Sequence, residues 1–429
     1  MEFLGLHIDT GSVESTAFTF GLILVFGVIG GRVARKVGLP AITGYLVFGI
    51  LINPKVSGIV TVDAMVHVEE LVTPIALSII AYLIGGSLRM DTLRGLGRSV
   101  FAITLAQGLA PFIFVFLIIT FLVPALLGSY LPEFDTNSYL AMGLVAGAIS
   151  LATAPAAVIA VLHELKAKGP LTNTILAVVA IDDALAVVMF ALVAGFSSSL
   201  INSGGTQSVF DMISHPVVEI VFSLILGLIF AFILIYVTRF IRQQRVQTIL
   251  AVLGMVVVCG GVATYLGLSI ILANMAFGFV VVNQMKHSRM IDAIVGIEDI
   301  VFVLFFTLAG ATFLVHETIN TQLLLVVGVT GSLIVLARCG GKFGGSWLGA
   351  KLSGAPEAVR KNLGFALMPK AGVSIGLAMS LAEKPEFVTI SSILVSSLIV
   401  STIINELIAP PLAKHGILKS GEGRTATTR

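Results

Sequence analysis

Asp182 and Asp183 stand side by side in ILAVVAIDDALAVVMFAL (175–192), a run that is otherwise apolar. Such a run is about the length of a bilayer-crossing helix, at roughly 1.5 Å per residue over roughly 30 Å of hydrocarbon. A charge at that depth costs several kcal/mol, so it faces a partner or a water-filled cavity. Two adjacent carboxylates point to a site that carries ions or protons. The plainer alternative is one structural salt bridge with a protonated spare beside it. Lys342, in a second apolar run, is the candidate partner of Asp182. The two lie at roughly 12 and 18 Å of helix from one membrane face, a gap that a lysine side chain closes. Snorkelling of Lys342 to that face is its alternative fate. Arg338 is one turn deeper on the same helix face, where a structural pair with Glu406 is expected. Lys370 follows Pro369 in a third run, and is expected to offset helix-end charge there.

The elements that must position these residues are membrane helices. Charged residues make up 11% of the 429 and hydrophobic ones 57%, with a mean hydropathy of +1.06. Soluble proteins carry about 25% charge, so the chain reads as an all-α, polytopic integral membrane protein. Hydropathy marks thirteen segments: 14–36, 40–54, 68–88, 97–124, 137–163, 170–197, 215–240, 246–266, 268–284, 294–315, 321–350, 357–382 and 386–412. A linker is expected at 198–214. Arg32, Arg35 and Lys36 follow segment one, and Arg89, Arg94 and Arg98 follow segment three. The same side collects Lys166, Lys168, Arg239, Arg242, Arg245, Lys286, Arg289, Lys351, Arg360, Lys361, Lys414, Lys419, Arg424 and Arg429. Only Lys55 and Lys384 fall opposite. The positive-inside rule then predicts the N-terminus outside and the C-terminus in the cytoplasm, in an inner (plasma) membrane. The acidic start MEFLGLHIDTGSVE predicts no cleaved signal peptide.

Internal repetition is present. Gly38-Leu39 followed by Phe48-Gly49 matches Gly267-Leu268 followed by Phe277-Gly278 at identical spacing, and LIGGSL (83–88) echoes LAGATF (308–313). The matches pair segment two with nine and three with ten. An offset of seven segments inverts the second copy, as in secondary transporters that bind near the midplane. The same pairing sets segment five, with Pro155, against segment twelve, with Pro369 and Gly372. Proline removes a backbone donor and clashes with the preceding turn. Two such breaks at matching places predict crossed, discontinuous helices.

Other chemistries lack their residues. No GxxxxGK[ST], HExxH or CxxC pattern occurs, and Cys259 and Cys339 lie in apolar segments. The net charge of +2 carries no message about nucleic acid, and no enzyme activity or cofactor is expected.

A buried Asp-Asp on one helix, a TAP break on the helix before it, GKxxG, and PKAG at a second break occur together here. In that combination the chain resembles the monovalent cation:proton antiporters of the second family, close to bacterial sodium/proton antiporters. The resemblance implies about thirteen transmembrane helices, with a scaffold or dimerisation domain (14–90 and 246–316), a core (97–197 and 321–412) and a bridging helix (215–240). It implies Asp183 as the main cation and proton carrier. Asp182 would release and regain Lys342, and Thr153 would line the cation site. It also implies a homodimer in the lipid bilayer. Two positions depart from the family. Ala154 stands where Ser or Asp is frequent, and Pro369-Lys370-Ala371-Gly372 where PRGE is frequent. Both remove side-chain oxygens near the site. The expected function is exchange of Na+ or Li+, with K+ as a further candidate, for protons by alternating access with net charge movement. A sodium-coupled symporter of an organic anion on a similar fold is the alternative.

Overall fold

The structure is a computed structural model that describes residues 13–37, 39–90, 97–203, 209–238, 245–284, 289–313, 320–370, 373–382 and 384–423. Helix occupies each of the thirteen predicted segments. First come α1 (Val13–Lys36), α2 (Ala41–Ile52), the short α3 (Pro54–Ser57) and α4 (Val62–Ser87). α5 (Arg98–Leu117) continues through a π-turn into α6 (Val123–Leu127). α7 (Thr136–Ile149) and α8 (Pro155–Glu164) share segment five and are followed by α9 (Pro170–Ser203). Next are α10 (Val209–Val237), α11 (Arg245–Tyr265), α12 (Ile270–Gln284) and α13 (Arg289–Ala311). α14 (Thr321–Leu352) leads to α15 (Glu357–Ala366) and α16 (Val373–Ala382), which share segment twelve, and α17 (Val388–Lys419) closes the bundle. Among the described residues, eight helices are long and apolar enough to cross a membrane, and α2, α12 and α16 are shorter apolar helices.

The expected linker is shorter than its composition suggested. α9 runs on to Ser203, and α10 starts at Val209. Tertiary contact holds this serine-rich end in the helix: Ser197 is buried, and Ser198 Oγ donates to Glu386 Oε1 at 2.9 Å. Of the residues singled out above, Gly38, Arg94, Arg239, Arg242, Lys286, Ala371, Gly372, Arg424 and Arg429 lie outside those described.

The inverted repeat is written into helix contacts. A Cβ on Gly49 of α2 would lie 2.2 Å from the Thr307 carbonyl oxygen of α13, and one on Gly278 of α12 would lie 2.0 Å from the Tyr82 carbonyl oxygen of α4. Thr307 and Tyr82 precede LAGATF and LIGGSL by one residue each, so the two contacts are equivalent. Small residues let membrane helices approach this closely.

Packing sorts the helices into two groups. α1, α2, α4, α11, α12 and α13 pack mainly among themselves, and α10 leans on them through α12. α5, α7, α9 and α14–α17 form the second group, with α8 held by α9 and α17. α10 also packs on α9 and so bridges the groups; apart from it, direct contacts between them are sparse and run chiefly through α2 with α17, and α4 with α9 and α16.

Inside the second group the two broken helices cross. α7 stops at Ile149, and α8 restarts at Pro155, whose ring suits a first helical position. α15 stops at Ala366 and α16 restarts at Val373. Between the halves, Thr153 and Lys370 form an antiparallel bridge, and the Ala154 N–H donates to the Pro369 carbonyl at 3.0 Å.

Candidate functional site

Successive residues on a helix point about 100° apart, and that separates the two aspartates. Asp182 turns inward toward α5, α14 and the crossover. Its Oδ2 is 2.9 Å from Lys342 Nζ, with both side chains fully buried. Thr153 Oγ1 donates to the same oxygen. Gln107 Nε2, from α5, donates to Asp182 Oδ1 at 2.5 Å. Lys342 Nζ is itself surrounded by acceptors: Gln107 Oε1 at 2.6 Å, the Leu151 carbonyl at 2.7 Å, Thr153 Oγ1 at 2.8 Å and Asp182 Oδ2. An ammonium has three protons, so four oxygens share them.

Asp183 has a different environment. Its Oδ1 is buried and meets no hydrogen-bond partner. It lines a cavity of about 190 Å³ between the two helix groups, bounded by Ile84 and Ser87 of α4, Val158 of α8, and Leu176 and Val179 of α9. Ser87 and Leu176 are exposed, so the cavity leads from the basic end of the bundle to the carboxylate. Beyond it, Leu77 and Ile80 of α4 meet Gly376 and Leu377 of α16 across an apolar gap of about 10 Å³. An unpaired buried carboxylate oxygen beside a one-ended cavity can take a proton or a hard cation, but not both at once. Among the described residues, no three His, Cys, Asp or Glu side chains group as metal ligands.

Lys342 reaches its partners because α14 lies against α5 almost at backbone contact. A Cβ on Gly345 would come within 2.3 Å of the Ala106 carbonyl oxygen and 2.9 Å of Gln107 Cα. Gly345→Val is therefore expected to push α14 off α5, lower thermal stability by an overpacking cost of about 1–3 kcal/mol, and reduce transport by spreading the Lys342 cluster. Melting curves and vesicle transport assays check both.

Arg338 does not pair with Glu406 as expected. No such ion pair occurs among the described residues. Its guanidinium instead donates to backbone carbonyls in the breaks of both discontinuous helices: Ser150 at 3.0 Å, Ala152 at 2.8 Å, Met368 at 2.6 Å and Pro369 at 3.3 Å. The physical reason is the supply of acceptors. Two helix C-terminal ends converge there, each with unsatisfied carbonyls and partial negative charge. Five fixed N–H donors match them better than one carboxylate does. Arg338→Gln leaves several buried carbonyls bare, at about 1–3 kcal/mol each. A large drop in melting temperature is expected, with partial recovery in Arg338→Lys. Lys370 Nζ donates to Ser401 Oγ at 2.7 Å, while its backbone forms the bridge with Thr153. Glu406 is 2% exposed.

Gln107 escaped the sequence reading. The signal was available: it is the one amide or charged side chain between Ser99 and Val123, in the middle of an apolar segment.

A family model described as the sodium/hydrogen exchanger, transmembrane, matches residues 20–415. The chain is 23% identical over 383 residues to a probable Na(+)/H(+) antiporter, GerT, of Bacillus cereus, covering 87% of this chain and 94% of that one. It is 22% identical over 334 residues to AmhT, an ammonium/H(+) antiporter subunit of Alkalihalophilus pseudofirmus, covering 77% and 79%. NhaP, a Na(+)/H(+) antiporter of Pseudomonas aeruginosa, is 24% identical over 320 residues, covering 70% and 72%. Among solved structures, the sodium proton antiporter MjNhaP1 from Methanocaldococcus jannaschii has a similar fold. Its TM-score is 0.70 at 19% identity, over 95% of this chain and 99% of that one.

Proposed function

The chain belongs to the sodium/hydrogen exchanger family of monovalent cation:proton antiporters, and from that premise we propose that it exchanges Na+ or Li+ for protons by alternating access. K+ is the further candidate, and the similarity to an ammonium/H(+) antiporter subunit adds NH4+ to the cations to be tried. One observation carries the reading. Asp183 offers an unpartnered carboxylate oxygen at the end of a cavity, next to a second aspartate already neutralised by Lys342. A carboxylate supplies the charge and hard oxygen that compensate a dehydrated alkali ion, and a proton on it removes both.

In this reading the second helix group is the moving core, and the first group is the scaffold and dimer face. The sparse contacts between the groups support it. Sliding of the core past α4 would close the cavity at the basic end and open the apolar gap at Leu77 and Leu377. With the basic loops facing the cytoplasm, the present cavity opens inward. Exchange of more than one proton per cation moves net charge, readable as a current in proteoliposomes. No resident cofactor enters the cycle.

The test is a pH-sensitive dye inside acid-loaded vesicles containing the protein. Addition of Na+ or Li+ should alkalinise the lumen. No response to Na+, Li+, K+ or NH4+ defeats the proposal, and a response that requires an organic anion favours symport.

A further inference from the structure

We propose that Gln107 is a ligand of the transported cation, through its side-chain oxygen. The inference rests on the antiport reading and adds an inner position to it: a cation that Asp183 takes from the cavity moves on to the oxygens around Lys342 Nζ when the ammonium withdraws.

Lys342 Nζ marks the position. Four oxygens converge on it within 2.6–2.9 Å: Gln107 Oε1, Leu151 O, Thr153 Oγ1 and Asp182 Oδ2. That is an oxygen cage built around a monovalent cation, and the cation is tethered. If the ammonium withdraws, the cage keeps its geometry, because each oxygen is held by something else. Leu151 and Thr153 belong to the crossover, whose carbonyls Arg338 clamps. Asp182 is held through its other oxygen by Gln107 Nε2, at 2.5 Å. That same nitrogen also reaches the Thr104 carbonyl at 3.2 Å.

The amide has one chemically sensible orientation. Its NH2 must face the carboxylate and its oxygen must face the ammonium, because the reverse sets acceptor against acceptor and donor against donor. So Oε1 already points at the place a free cation would take, and no rotation is needed. The fully buried side chain sits on a helix held close by Gly345.

The experiment measures Na+ binding and transport on the purified full-length protein. The half-saturating Na+ concentration is read from the Na+-dependent rise in melting temperature and from dye-reported exchange, for wild type, Gln107→Leu and Gln107→Asn. Leu keeps the volume and removes the oxygen; Asn retracts the oxygen by one methylene. Both should raise half-saturating Na+, Gln107→Leu by about tenfold or more, as expected for loss of one contact to a charged group. A purely structural role would lower the melting temperature without Na+ and leave half-saturating Na+ unchanged, and that result overturns the proposal. Should the Leu variant not fold, an unchanged half-saturating Na+ in Gln107→Asn overturns it equally. Wild type that neither binds nor exchanges Na+, Li+, K+ or NH4+ would instead defeat the antiport reading; where another of these is the exchanged ion, the same titrations are run with it.

Discussion

Asp183→Asn should lose cation-driven proton movement for Na+, Li+ and K+ alike while the protein stays folded. The two halves of this result follow from one geometry. Asp183 Oδ1 is buried without a hydrogen-bond partner, so replacing the carboxylate with an isosteric amide breaks no bond on that side. It also removes the cost of holding an unpaired charge away from water, so melting temperature should hold or rise. Transport has no such tolerance. A dehydrated cation beside a neutral amide loses an interaction of about 3–5 kcal/mol, the range for a buried charge stripped of its partner. That corresponds to about 10²-fold or more in occupancy. Vesicle dye assays and melting curves on the same preparation read both halves. A variant that still exchanges cations, or one that unfolds, would contradict the assignment.

The second large effect concerns Lys342. Lys342→Gln leaves Asp182 buried, with Gln107 and Thr153 as its remaining hydrogen-bond donors. Removing one partner of a buried pair costs about 3–5 kcal/mol, a marked fall in melting temperature. The double variant Asp182→Asn/Lys342→Gln removes both charges and should recover most of that loss. Asp183→Asn/Lys342→Gln should recover little, because Asp183 makes no ion pair with the lysine. Recovery in the second pair and not the first would mean that Lys342 compensates Asp183.

Much of this arrangement was legible in the chain. Counting helix rise from one membrane face set Asp182 and Lys342 at compatible depths, and they pair at 2.9 Å. Pro155 and Pro369 marked two breaks, and those breaks cross. The repeated Gly49 and Gly278 marked equivalent helix contacts, because only a residue without a side chain permits backbone approach of that kind. What stayed hidden depended on partners that leave no trace in sequence. Backbone carbonyls have no residue letter, so the four that bind Arg338 were invisible, and Glu406 was the nearest thing to a visible partner. The residues gave Asp182 its partner, but the separate role of Asp183 came from the family resemblance alone, because adjacency in sequence conceals the turn of the helix between the two. Gln107 lies 75 positions from Asp182, and nothing short of the packing of α5 against α9 joins the two.

The central claim is that one carboxylate takes either a proton or a cation, and its most direct test is the pH dependence of transport kinetics. Initial rates against cation concentration, taken at several pH values, should show the apparent KM rising with acidification, toward about tenfold per pH unit per competing proton once the carboxyl is mostly protonated, with the rate at saturating cation unchanged. A falling maximal rate at constant KM would mean that protons and cations act at separate groups, and Asp183 would not be the shared carrier.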